Sequence, residues 1–132
     1  MKKFISACEK GDLEIVRLLL QDSKVDPSDY YNQAIRCASK NGNLEVVRLL
    51  LADKRVDPSA EDNEAIQYAS VNGHLEIVRL LLADPRVDPT ADDNEAIRFA
   101  SQNGHLEVVK LLLQDKRVDP SAMYNYPIIL LD

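Results

Sequence analysis

His74 and His105, with Cys8 and Cys37, are the residues best suited to metal or nucleophile chemistry. The histidines stand 31 residues apart, each directly after a glycine. Zinc needs both ring nitrogens about 2 Å from the ion. Elements one structural repeat apart are spaced roughly 8–10 Å, so the pair is too far apart to share a metal. Asp12 and Asn43 occupy the same slot in earlier steps of the chain, and the slot reads as the N-cap of a helix. The cysteines have no His or Asp at a fixed catalytic spacing and read as buried or half-buried thiols. No Ser-His-Asp set, Gly-rich phosphate loop or Cys-x-x-Cys motif is present. The expectation is a non-enzymatic chain with no metal and no cofactor.

Charged residues also fall at fixed steps. Glu14, Glu45, Glu76 and Glu107 each stand three places before Arg17, Arg48, Arg79 and Lys110. This spacing puts them on one exposed helix strip as a solvated ion-pair ladder, in which each pair contributes under about 1 kcal/mol.

The elements that carry these residues follow from one period. Asp-Pro recurs at Asp26, Asp57, Asp88 and Asp119, and Gly11, Gly42, Gly73 and Gly104 keep the same step of 31. Residues 57–87 and 88–118 share 22 of 31 positions, so the middle of the chain is a recent duplication or an idealised design. Within one unit, a first helix begins near Asn63, with Asp62 and Asn63 as cap chemistry, and stops at Asn72-Gly73. A second helix from His74 to Leu82 is apolar on all sides except Glu76 and Arg79, and such a helix must be sandwiched. Pro89 holds its predecessor extended, so residues 87–92 read as an extended finger or tight hairpin. Second helices are expected at 13–20, 44–51, 75–82 and 106–113, each preceded by a first helix. Helix, turn, helix and finger at this period make an all-α stacked solenoid.

These units resemble the ankyrin repeat. Gly73-His74-Leu75-Glu76-Ile77-Val78-Arg79-Leu80-Leu81-Leu82 and residues 104–113 match the second half of that repeat closely. The first half departs, with Asn63-Glu64-Ala65-Ile66 where Thr-Pro-Leu-His is usual, and the unit is about two residues shorter than the usual 33. Only Tyr126-Pro127-Ile128 restores a proline at the first helical position. The dialect looks like ankyrin arrays of giant DNA viruses and protists. The expected organisation is one domain over 1–132. Its repeats are 1–25, 26–56, 57–87 and 88–118, with a C-terminal cap helix within 119–132.

In a chain so nearly copied, the positions that vary are informative. One column holds Tyr30, Glu61, Asp92 and Met123; the next holds Tyr31, Asp62, Asp93 and Tyr124. A third holds Gln33, Glu64, Glu95 and Tyr126, and a fourth Lys40, Val71 and Gln102. Across the stack they give an acidic middle flanked by tyrosines. The resemblance implies that fingertips and first helices line a concave groove that grips a protein or peptide. Aromatic and Met residues are enriched at interfaces, and acidic charge steers a basic partner. The same acids also suit helix starts on dipole grounds, and the end tyrosines also suit coverage of exposed core. Arg36, Gln67 and Arg98 share these helices, so the face is not uniformly acidic.

Composition removes other classes. The net charge is −6, against the basic footprint of a nucleic-acid binder. The longest apolar runs are three or four residues, far short of a membrane span. Met1-Lys2-Lys3-Phe4 carries no signal-peptide pattern, and two cysteines make no disulfide framework. A cytoplasmic, intracellular setting is the expectation. Residues 127–131 are apolar, which leaves a truncated array, a self-association surface or a compact cap as readings of that end. Three functions are carried forward. They are an interaction module, a designed or orphan scaffold without a dedicated partner, and a unit that self-assembles through its C-terminal end.

Overall fold

The computed structural model describes residues 1–123; the expected cap helix at 127–131, with Tyr124 and Tyr126, lies outside them. Four helix pairs follow one another: α1 (Lys2–Lys10) and α2 (Leu13–Leu20), α3 (Asp29–Lys40) and α4 (Leu44–Leu51), α5 (Ala60–Val71) and α6 (Leu75–Leu82), α7 (Ala91–Gln102) and α8 (Leu106–Leu113). The described part ends in a 3-10 turn, Pro120–Met123. The second helices fall where the apolar runs place them. α1, α3, α5 and α7 pack side by side in one layer, and each second helix packs on its own first helix and more lightly on its neighbours.

The packing explains the period. Ala34 and Ala38, Ala65 and Ala69, and Ala96 and Ala100 are all fully buried on the first helices, where small side chains let helices approach closely. Ile35, Ile66 and Ile97 fill the space behind them, and Leu50, Leu81 and Leu112 do so from the second helices. The core is one continuous cluster running through all repeats, aliphatic except for Phe4 and Cys8, so each unit buries its face only against its neighbours. The Glu–Arg/Lys ladder is present as expected. Its four pairs span 3.3–3.7 Å on exposed side chains.

The finger is built from turns, and no strand occurs among the described residues. After each Asp-Pro, the Asp carboxylate accepts from the backbone N–H and hydroxyl two residues on. Examples are Ser59 to Asp57 Oδ1 at 2.9 and 2.6 Å, and Thr90 to Asp88 Oδ1 at 2.9 and 2.7 Å. This capture curls the chain at once, which shortens the finger. Three consecutive residues then take left-handed dihedrals: Tyr30-Tyr31-Asn32, Glu61-Asp62-Asn63 and Asp92-Asp93-Asn94, with φ between 54° and 65°. Each is a single left-handed turn at the head of α3, α5 or α7, and the right-handed helix begins only after the Asn.

Two expectations about caps are corrected here. Asp62 and Asn63 do not cap α5 with their side chains. Asn63 Oδ1 instead accepts the Asp88 N–H of the next repeat at 2.8 Å, as Asn32 Oδ1 accepts that of Asp57. The slot of Asp12, Asn43, His74 and His105 does precede each second helix, but only Asp12 bonds its own helix, accepting from Ile15 N–H. Asn43 Nδ2 donates back to the Cys8 and Glu9 carbonyls, and His74 Nε2 lies 3.0 Å from the Lys40 carbonyl. These side chains cover the carbonyls left open where the preceding repeat's first helix ends.

A second seam between repeats lies under the fingers. Arg55, Arg86 and Arg117 each grip the Asp two places before them through two nitrogens. Each donates a third bond to the valine carbonyl one repeat back, as Arg86 does to Val56 at 3.0 Å. The guanidinium hydrogen bond holds the carboxyls of Asp53, Asp84 and Asp115 below the usual range. The Asp-Pro carboxyls of Asp26 and Asp88 are lowered mainly by the hydroxyls of Ser28 and Thr90.

Candidate partner-binding face

The first-helix layer presents the variable columns, and the structure divides that face into two clefts. One, of about 430 Å³, lies between α1 and α3 and is lined by Lys2, Ile5, Ser6, Glu9, Tyr30 and Gln33. The other, of about 270 Å³, lies between α5 and α7 and is lined by Glu64, Gln67, Tyr68, Val71, Glu95 and Phe99. Between them, two contacts bridge α3 and α5. Arg36 Nη1 bonds Glu64 Oε1 at 2.7 Å, and Lys40 Nζ stands 5.0 Å from the Tyr68 ring centroid.

The left-handed turns set the exposure of the first two columns. Tyr30 and Tyr31 are 61% and 76% exposed, and Glu61, Asp62, Asp92 and Asp93 are also exposed. A left-handed conformation costs roughly 1–2 kcal/mol per non-glycine residue, so something must hold the turns. The column of Arg36, Gln67 and Arg98 does this. Arg36 donates to the Tyr31 and Tyr30 carbonyls at 3.0 and 2.8 Å. Gln67 Nε2 donates to the Asp62 carbonyl and to Asp92 Oδ2, and Arg98 donates to the Asp93 and Asp92 carbonyls. The basic residues of this face therefore brace the backbone that carries the acids and tyrosines.

The third column enters both clefts, joined by Tyr30 of the first column and Val71 of the fourth. Gln33 lines the first; Glu64 and Glu95 line the second. Met123 lies in the 3-10 turn, and Tyr124 and Tyr126 fall outside the described residues, so the aromatic flank at the far end of the stack is not placed. Tyr68 and Phe99 were not among the expected site residues, although they line the second cleft. The signal lay in their column, Ser6, Cys37, Tyr68 and Phe99, where the residue type changes at every step. Ile5, Ser6 and Glu9 stand one step before Arg36, Cys37 and Lys40, so the period aligns them too, but the expected site residues do not include them.

The thiols are quiet. Burial pushes the Cys8 thiol up to about 12, with Cys37 a lesser contributor, and burial also raises Cys37. At Cys37, burial and Glu9 outweigh the lowering by Arg36 and Lys40, so neither thiol is activated as a nucleophile. Among the described residues no group of three metal-ligating side chains occurs, and no helix is long and apolar enough to cross a membrane.

A family model for ankyrin repeats, built of three copies, matches residues 4–62 and again 55–124. No curated protein matches the chain significantly.

Proposed function

The chain belongs to the ankyrin repeat family, and from that premise we propose that its first-helix face binds a protein or peptide segment. Ankyrin repeats are generally protein–protein interaction modules and typically non-enzymatic. The observation that carries the reading is the pair Tyr30 and Tyr31. Both stand exposed beside the larger cleft, on a backbone turn whose strain Arg36 offsets with two hydrogen bonds. Strain of this kind is retained where it positions side chains for use, and rigid aromatic side chains make good anchors. The partner segment crosses from Tyr30, Tyr31 and Gln33 over Glu61, Asp62 and Glu64 to Asp92, Asp93 and Glu95, and the proposed contact set also includes Met123, Tyr124 and Tyr126. The acids select a basic segment and speed its association.

Selection from a displayed random-peptide library tests this. Selected peptides are titrated against the native chain, a Tyr30→Ser/Tyr31→Ser variant, and a variant with Glu61, Asp62, Glu64, Asp92, Asp93 and Glu95 changed to amides. Circular dichroism first confirms that both variants fold. The expected peptides carry Lys or Arg and weaken about tenfold or more on each variant. Peptides that bind all three proteins equally would move the site off this face. Failure to select any peptide would favour a scaffold without a dedicated partner.

A further inference from the structure

The interface between neighbouring first helices repeats along the stack, and one copy lacks what its neighbour has. At the α3–α5 interface, α3 supplies two cations: Arg36 to the Glu64 carboxylate and Lys40 to the Tyr68 ring. One step on, the four corresponding residues are Gln67, Val71, Glu95 and Phe99. The acceptors persist as a carboxylate and a ring, while both cations are gone. Gln67 is turned to the Asp62 carbonyl and Asp92 Oδ2, and Val71 carries no charge. Arg98 comes within 5.3 Å of the Phe99 ring from the same helix, but it donates to the turn carbonyls and does not line the cleft. Glu95 makes no ion pair among the described residues. What remains is the cleft of about 270 Å³, with two carboxylates and two aromatic rings in its wall.

We infer that this cleft receives one arginine side chain of the bound segment, with its guanidinium on Glu95 and its plane against the rings. The inference rests on the first-helix face being the binding surface, and it names the side chain that this part of the face takes. Internal precedent supports it, because the chain fills the equivalent place between α3 and α5 with its own cations. Arginine fits better than lysine. A planar fork meets a carboxylate through two bonds and stacks on an aromatic ring at once, while an ammonium is a compact, strongly hydrated point charge. Glu64 is already engaged by Arg36, so Glu95 is the principal acceptor.

The test is an NMR titration of the native chain with N-acetyl-arginine methylamide at constant ionic strength. The lysine analogue and the uncharged citrulline analogue are run beside it. The arginine compound is expected to shift Val71 methyl and Tyr68 and Phe99 ring signals saturably, with Kd on the order of millimolar. Citrulline should bind about tenfold more weakly, and Glu95→Gln should weaken arginine by a similar factor. A Gln67→Arg/Val71→Lys variant rebuilds the α3 pattern within α5. It should remain folded and stop responding to arginine. Equal binding of citrulline, tighter binding of lysine, an unaffected Glu95→Gln variant, or no saturable shift at about 50 mM overturns the inference. A selected peptide that needs Tyr30 and Tyr31 but ignores Glu95→Gln would overturn it while leaving the face intact. Saturable arginine binding with peptides mapping to the second helices would overturn the wider reading and, with it, the assignment of this cleft to the bound segment.

Discussion

Replacing Gly42 with alanine separates two costs that the stack imposes at each helix turn. Gly42 has φ +77°, and an added Cβ would lie 2.7 Å from His74 Cε1 and 2.9 Å from Nδ1 of the next repeat. A left-handed alanine costs roughly 1–2 kcal/mol. The imidazole must also swing aside and lose its bond to the Lys40 carbonyl, a further 0.5–1.5 kcal/mol or so. Gly104 supplies the control. Its φ is +73°, yet nothing among the described residues lies within 4 Å of where an added Cβ would stand. Gly104→Ala therefore carries the strain alone, and both variants share the unfolded-state effect of removing a glycine. Urea unfolding followed by circular dichroism gives each free energy through the midpoint and slope. Gly42→Ala should be the more destabilising by about 1 kcal/mol. His74→Ala closes a double-mutant cycle at one site, which removes any difference between inner and outer repeats. On that background Gly42→Ala should cost only the strain. Equal losses for Gly42→Ala and Gly104→Ala, or a cycle additive within about 0.3 kcal/mol, would refute the reasoning.

Leu81 is fully buried in α6, so Leu81→Ala should cost about 2–5 kcal/mol in the same unfolding assay. Asp62→Gly tests the left-handed turn. It should be neutral or stabilise by up to about 1 kcal/mol, whereas a right-handed helix at Asp62 would lose about that much. Acid should weaken the array. Hydrogen bonds lower the carboxyls of Asp26, Asp53, Asp84, Asp88, Asp115 and Asp119 in the fold. Their contribution is therefore full above the unfolded value near 4 and is lost as pH falls through the lower folded values. The loss should appear in melting temperatures taken from pH 6 down to pH 2, and Arg86→Met should flatten that slope.

The sequence read well where a single physical demand repeats. Leu75 to Leu82 is apolar on nearly every side, so it had to be a sandwiched helix, and α6 has those bounds. Glu76 and Arg79 broke the pattern on one strip, and they form the exposed pair. The turns were harder. Nothing in Glu61-Asp62-Asn63 carries a glycine, and although Asp and Asn tolerate a positive φ, the same residue types also suit a helix cap. Acidic residues at a helix start satisfy the dipole whichever way the turn winds. The fold holds them left-handed through Gln67 and Arg98, one right-handed turn further along. The cap slot was legible as a position, though its bonding was not. His74 looks like the cap of the helix that follows it, while its ring serves the helix end behind it, a contact that depends on stacking. Of the candidate site, Gln33, Glu64 and Glu95 were legible as a varying column. Tyr68 and Phe99 were hidden by sharing theirs with Cys37.

The first-helix face is the proposed binding surface. The most direct measurement is amide chemical-shift mapping of the chain with a peptide selected against it. Shifts should concentrate at Ile5, Tyr30, Tyr31, Gln33, Tyr68, Val71 and Glu95, with the outer strip of Glu45, Arg48, Glu76 and Arg79 unmoved. Shifts centred on that outer strip or on exposed Leu18, with the clefts silent, would contradict it.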